Sequence, residues 1–474
     1  MAKELDQLQY GDFQTPIDLA RGVCRWLMSR IDPPATVLEP TCGQGSFLRA
    51  ANEIFRSASH IIGVDRNASY VEKARRHLAN SQPSSVVIRQ GDFFEFDWDQ
   101  LQLFDHGPLL VLGNPPWVNN SSLAKCSSRN VPTKSNLNRL RGIDAVTGAS
   151  NFDISETILL TVFRWFQHQQ GTVAMLCKTK VARKVLQYAW SNGIDIAQAD
   201  LVPIDARQEF SASVDAALLV VRFHPGDSRQ YCRVHESLNT SGDREFGMED
   251  GRLVTDRSLY RRHRHRFAET AVKWRSGVKH DCARVMQLRR DGDRFTNGMG
   301  QVVTLERRFL FPMLKCSDLA KRSPRPRFWM LVPQRYVGQE TDRLARLAPR
   351  TWDYLHQHRD QLRKRGSVVY RDKPDFSVFG VGEYSFSRWK VAVSGLGKTP
   401  RFHAIGPHHR KPMIMDDTCY FHPCDSESAA RRLSSALNST VAQEFFQSLI
   451  FTDEKRPVTA KLLGQLDLER LLRE

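Results

Sequence analysis

The stretch at residues 109–117, Leu-Leu-Val-Leu-Gly-Asn-Pro-Pro-Trp, limits what this chain can fold into more than any other. It begins as an apolar run of buried-strand length. The abrupt change at Gly113 sets the next four residues on a rim, at the carboxyl end of that strand. Two successive prolines fix their own φ angles, drive Asn114 out of the helical region and remove two backbone donors. The turn is therefore rigid and rich in carbonyl acceptors, with an amide side chain and an indole beside them. Such a group suits a planar amine: acceptors take its N–H protons while Trp117 stacks on the ring. Taken alone, Asn-Pro-Pro reads as no more than a turn after a strand, so its meaning depends on its surroundings.

Those surroundings alternate regularly. Residues 36–39 read as a short strand, followed by a turn bearing Gly43 and Gly45 and a helix over 47–55. A second strand over 61–65 ends in Asp65, a second helix covers 69–79, and a third strand over 85–90 closes on Gly91-Asp92-Phe93-Phe94. After Trp117 a long polar segment carries Lys125, Arg129, Lys134, Arg139 and Arg141. A helix over 152–167, strands over 171–177 and 196–201, a helix over 181–191 and a last strand reaching Phe223 complete the pattern. This order predicts a doubly wound, mostly parallel α/β sheet over residues 1–225, with helices on both faces.

Charge separates the two halves of the chain. Lys and Arg exceed Asp and Glu by 1 over residues 1–225 and by 16 over residues 226–474. A nearly neutral first half joined to a basic second half predicts a catalytic domain followed by one that meets a polyanion, with double-stranded DNA as the expected partner. Residues 226–256 read as a polar connector, and 257–474 as a mixed α+β basic domain. In it, Arg261, Arg262, Arg264, Arg266, Lys390 and Lys398 are the expected DNA contacts. Short strands are predicted over 327–332, 367–370, 378–381 and 389–393, and helices over 426–437, 440–450 and 460–472. The nine cysteines include no Cys-x-x-Cys pair, which argues against a zinc ribbon, and no metal is expected. No apolar run approaches the roughly 20 residues that span a bilayer, and the amino terminus lacks the apolar core of a signal peptide. A cytoplasmic, nucleoid-associated protein with no membrane partner is the expectation.

The strand ends carry the chemistry. Gly43-x-Gly45 fits several nucleoside-binding domains, but the third glycine of the dinucleotide fingerprint is replaced by Leu48, which disfavours NAD. Glu39 before the turn repels a pyrophosphate and suits a cationic, amine-bearing ligand. Asp65 stands where a ribose diol is held, and Asp92 can accept from an adenine amino group with Phe93 beside the ring. Each acid alone reads as a cap or a solvated loop residue. Three at successive strand ends, with the glycines, read as a nucleoside site.

In this order the motifs Asp-Phe-Gln-Thr-Pro16, Glu39-Pro-x-x-Gly-x-Gly45, Asp65, Asp92-Phe93 and Asn114-Pro-Pro-Trp117 resemble those of the S-adenosylmethionine-dependent DNA amino-methyltransferases of the restriction-modification type. The resemblance covers roughly residues 10–225 and implies a Rossmann-like sheet with S-adenosylmethionine as cofactor. Phe13, Thr15, Pro16, Glu39, Gly43, Gly45, Asp65, Asp92 and Phe93 would then contact that cofactor. Asn114, Pro115, Pro116 and Trp117 would form the catalytic turn, with Trp117 and Phe210 covering the two faces of a flipped adenine. The second half resembles the target-recognition domains of adenine-specific enzymes, on the 390–398 segment and on Arg456-Pro-Val-Thr-Ala-Lys461. A separate restriction endonuclease or defence-system subunits are partners that the resemblance allows. Cytosine-C5 methylation is disfavoured because its nucleophile would sit in a Pro-Cys pair after the fourth strand, and Pro423-Cys424 lies far beyond it. N4-cytosine enzymes of this kind more often carry Ser at the position of Asn114. A DNA-binding modification subunit that needs a partner for activity is the alternative from another class.

Overall fold

The computed structural model of the chain describes residues 13–79, 85–118, 153–240, 242–268 and 272–473. The basic residues between Lys125 and Arg141 lie outside them. The chain divides into two compact units, Met1–Arg257 and Ser258–Glu474.

The first unit is built on one ten-stranded sheet. Its strands are β1 (Thr36–Glu39), β2 (His60–Asp65), β3 (Ser85–Gln90), β4 (Leu109–Gly113), β5 (Gly171–Lys178), β6 (Ile196–Ile204), β7 (Ala216–Phe223), β8 (Tyr231–Val234), β9 (Arg244–Glu249) and β10 (Arg252–Val254). They lie in the order 10-9-8-6-7-5-4-1-2-3. From β3 through β1 to β5 all neighbours are parallel. β7 inserts antiparallel between β5 and β6. The order reverses between β1 and β4, because the chain builds outward through β2 and β3 before returning to the other side of β1. Crevices at such reversals, beyond the carboxyl ends of the strands, are where open α/β sheets bind ligands.

Central strands buried on both faces explain the unbroken apolar runs: β1 and β4 are buried at every position. Helices α1 (Ile17–Met28), α2 (Ser46–Ile54), α3 (Ala68–Leu78), α4 (Ile154–Trp165) and α5 (Thr179–Ser191) follow the expected alternation. Apolar side chains of α1 (Val23, Leu27) and α2 (Phe47, Leu48, Ala51) pack in one core with Val37 and Leu110 from the sheet. A short helix, α6 (Ala206–Phe210), capped by the Asp205 carboxylate, carries Phe210 before β7.

The expected connector over 226–256 is corrected. It supplies β8 to β10, with β8 pairing parallel to β6 through Asp200↔Arg233 and Leu201↔Val234. Cys232, Val234, Phe246 and Val254 are buried while polar residues alternate with them, so these strands read as polar when composition alone is counted. Arg257 closes this edge on Glu245 at 2.8 Å and Glu249 at 2.7 Å.

The second unit contains two sheets. One has four strands in the order Arg275–Ser276, Cys419–Cys424, Trp389–Ser394, His403–Ile405. The other has six, ordered Val302–Val303, Arg294–Thr296, Gln287–Asp291, Phe328–Leu331, Leu310–Leu314, Ile414–Met415. Two expected strands are absent from these sheets. Val368–Tyr370 is a 3-10 turn, and the stretch around Phe379 makes a single bridge to Lys279 while Phe376, Val378 and Val381 fill the core from a loop. The expected helix over 460–472 is two, Ala460–Leu463 and Leu468–Arg473, interrupted from Gly464 to Asp467. Among the described residues no helix is long and apolar enough to cross a membrane.

Candidate active site

Glu39 ends β1 and Gly113 ends the adjacent β4, so the two meet at the sheet's reversal. Gly113 has a φ of 150°, and a Cβ on it would stand 3.1 Å from Glu39 Cγ, so glycine is required both by the backbone angle and by the close approach. Glu39 is only 3% exposed. Its Oε2 is buried without a partner. Burial pushes this carboxyl well above the ordinary range, and the negative charge of Asp65 adds to the effect.

Asp65 is held by two backbone donors, Gly43 N–H on Oδ2 and Asn67 N–H on Oδ1, each at 2.8 Å. A carboxylate oxygen can accept more than one hydrogen bond, a chemistry that suits a ribose diol. The glycine turn is also gripped from the amino-terminal segment: Gln14 Oε1 accepts from Gln44 N–H at 3.0 Å and lies over Gly43. Gly45 caps α2 with φ 83°, packed against Ala74. Thr15 and Pro16 immediately precede α1, with Pro16 at its cap.

On the rim of β4, Asn114 Nδ2 donates to the Phe13 carbonyl at 2.9 Å. That bond fixes the amide and leaves Oδ1 buried without a partner. Pro115 and Pro116 carry the chain into Trp117, a residue only 6% exposed. Phe13, Trp117 and Phe210 form a closed trio, with centroids 5.6, 6.1 and 5.2 Å apart for Phe13–Trp117, Phe13–Phe210 and Trp117–Phe210. The last pair meets edge to face at 74°. A base stacked between two rings separates them by about 7 Å, twice a carbon–carbon contact. Here the three rings touch one another, and the gap between Trp117 and Phe210 is narrower than that.

Asp92 lies at the third strand end as expected. Its Oδ1 accepts from Phe94 N–H at 3.0 Å and its Oδ2 is 3.4 Å from Arg66. Phe93 is turned away into a buried aromatic cluster with Trp98 and Trp165, at 5.4 and 5.9 Å, because that is where apolar area is covered. The exposed ring is Phe94, 42% accessible.

Of the basic residues expected to meet DNA, Arg261, Arg262, Arg264 and Lys398 are exposed, Arg262 lying 3.3 Å from Glu444. Arg266 is half-buried. Lys390 is corrected: it is 1% exposed, and its ammonium donates to the carbonyls of Ser385 at 2.8 Å and Met413 at 2.6 Å, so it cannot reach a phosphate. Burial lowers its pKa to about 7. Its strand is buried at all four central positions, Lys390 to Val393, so neither face offers the ammonium solvent. Gln14, Phe94 and Lys178 are the site residues that sequence reasoning missed. Gln14 lies inside the Phe-Gln-Thr-Pro motif, and Lys178 marks the end of β5.

The unpartnered buried atoms Glu39 Oε2, Thr41 Oγ1 and Asn114 Oδ1 belong to the turns at the carboxyl ends of β1 and β4. An ammonium-bearing nucleoside satisfies such a set, with Asp65 for a ribose diol. Fold and site together define an S-adenosylmethionine-dependent methyltransferase, and residues 31–134 match a family described as a methyltransferase domain. The chain is 41% identical over 471 residues to the type II methyltransferase M.NspV of Nostoc sp. (strain ATCC 29411 / PCC 7524), covering 99% of this chain and 98% of that protein. It therefore belongs to the type II DNA methyltransferases of restriction-modification systems. It is also 31% identical over 102 residues to the type II methyltransferase M.CvrRI of Paramecium bursaria Chlorella virus XZ-6E, covering 20% of this chain and 24% of that one. Among solved structures it shares a fold with the type IIL restriction-modification enzyme MmeI in complex with DNA. The TM-score is 0.53 at 12% identity, over 98% of this chain and 65% of that one.

Proposed function

We propose that this methyltransferase transfers a methyl group to the N6 amine of an adenine flipped out of duplex DNA. The observation that carries the proposal is Asn114 Oδ1, a buried acceptor with no partner, held by the Nδ2 bond to Phe13 and bordered by aromatic rings. The target amine is paired inside the duplex, so the nucleotide leaves the stack, at a cost of a few kcal/mol. Stacking on Trp117, with Phe210 and Phe13 yielding their mutual contact, offsets about 1–3 kcal/mol of it. Asn114 Oδ1 and the Pro115 carbonyl accept the amine protons, and Pro116 stiffens the turn that presents them. Drawing on those protons counters delocalisation of the nitrogen lone pair into the ring, which suits the nitrogen to in-line attack. S-adenosylmethionine supplies the electrophilic methyl on its sulfonium. Glu39 takes its ammonium, Asp65 the ribose, and Asp92 with the exposed Phe94 the adenine end, while the segment from Phe13 to Pro16 closes over the glycine turn.

The Asn at position 114 favours adenine over N4-cytosine. The basic second unit selects the target sequence, with Arg261, Arg262, Arg264 and Lys398 on phosphates. A separate restriction endonuclease that cuts the unmodified sequence is the partner consistent with this class. The test is transfer of tritium from labelled S-adenosylmethionine to duplex DNA, followed by digestion to nucleosides. Label in N6-methyladenine is expected, and label in a methylcytosine, or none beside tight DNA binding, would overturn the assignment.

A further inference from the structure

The catalytic turn is held from a direction that its own sequence does not reveal. Lys178 is the last residue of β5, and β4 pairs with β5 in the register Gly113↔Met175. Lys178 therefore stands three residues beyond the level of Gly113, alongside the Pro-Pro-Trp rim. Its ammonium donates to the Trp117 carbonyl at 3.0 Å and to Asp153 Oδ2 at 2.5 Å. Asp153 is 4% exposed and caps α4, its Oδ1 taking Ser155 N–H at 3.2 Å and Ser155 Oγ at 2.6 Å. One residue along, Ile154 N–H donates to the Val118 carbonyl at 2.9 Å. Residues 117–118 and 153–154 thus meet at a single half-buried cation, although a long stretch of sequence separates them.

We propose that Lys178, braced by Asp153, is the positioning residue of the methyl-transfer turn. It sets the Trp117 carbonyl, and through it the indole plane and the Asn-Pro-Pro geometry. The inference rests on the methyl-transfer reading above and adds a residue that does not touch substrate. Two features make the contact more than a surface ion pair. The carboxylate is buried and satisfied on both oxygens, so its lysine cannot swing away without leaving a buried charge unpaired. The cation also holds the Trp117 carbonyl on itself, which keeps that oxygen from competing with Asn114 Oδ1 for the protons of the target amine.

The test uses the full-length enzyme with Lys178→Met and Lys178→Arg. Lys178→Met is expected to lower kcat by about 10- to 100-fold, the scale of a misplacement of roughly 1 Å. Cofactor affinity should stay close to that of the native enzyme, because Glu39, Asp65 and Gln14 are untouched. Lys178→Arg, which can span a carboxylate and a carbonyl, should recover much of the loss. Hydrogen exchange read by mass spectrometry gives a second measure that does not depend on activity. The Ile154 amide, bonded to Val118, should lose protection in Lys178→Met while amides of β4 and β5 keep theirs. Native turnover in Lys178→Met, or native exchange at Ile154, would overturn the proposal. So would equal losses in kcat and cofactor affinity with general loss of protection, which mark a folding defect. If the native enzyme itself transfers no methyl to DNA, the functional reading fails, and exchange at Ile154 still decides whether Lys178 holds the turn.

Discussion

Replacing Asn114 by Ala separates catalysis from folding and from cofactor binding. In the native site Asn114 Nδ2 donates to the Phe13 carbonyl at 2.9 Å, while Oδ1 is buried and unpartnered. Losing a neutral hydrogen bond costs about 1 kcal/mol, and removing an unsatisfied buried acceptor returns a comparable amount. The melting temperature of Asn114→Ala should therefore lie close to that of the native protein. The reaction loses a preorganised acceptor at the atom where charge develops, an effect of roughly 3–4 kcal/mol, or about 10²–10³ in kcat. Asn114→Asp keeps an acceptor but sets a carboxylate against the Phe13 carbonyl, so it should fall between the two. The assay is single-turnover transfer of labelled methyl to duplex DNA, with cofactor affinity measured by calorimetry on the same preparations. Unchanged turnover in Asn114→Ala would refute the reasoning, as would a fall in cofactor affinity that matches the fall in rate.

Glu39 yields a pH dependence with a definite sign. Its carboxyl is held above the ordinary range, so the fold favours the protonated form; its contribution to stability is present at low pH and is lost as pH rises through the folded-state pKa. A bound ammonium reverses that preference. Cofactor binding should release a proton and strengthen with pH until the folded-state pKa is passed, and Glu39→Gln should flatten both trends in calorimetry and melting series. Alanine at Arg261 and Arg264 together should reduce the slope of log affinity for DNA against log salt by about 1 per lost phosphate contact. Lys390→Met should leave that slope unchanged, because the ammonium is buried against two carbonyls. Trp117→Ala should weaken productive binding of the target by about 1–3 kcal/mol, read as a rise in KM for DNA.

The sheet of the first unit was legible because its central strands are buried on both faces and appear as continuous apolar runs ending on Glu39, Asp65 and Gly113. The edge formed by residues 226–256 was not, because strands with one solvated face carry half as many apolar residues, and Cys232, Val234 and Phe246 stand among charges. The acids and the Asn-Pro-Pro turn announced the site through chemistry and order. What escaped depended on side-chain direction. Whether Phe93 or Phe94 faces outward, how closely Trp117 and Phe210 approach, and which way Lys390 points are decided by packing between residues distant in sequence. Lys178 and Asp153 belong to the same class, since nothing local to either residue signals that they converge on the Trp117 carbonyl.

The atom that receives the methyl group can be identified directly with isotopes. Duplex DNA labelled with nitrogen-15 at the adenine amino groups is methylated with S-adenosylmethionine carrying a carbon-13 methyl, and the product is examined by NMR. Transfer to N6 predicts a methyl carbon resonance split by one-bond coupling to the labelled nitrogen. A transferred methyl without that coupling would contradict it.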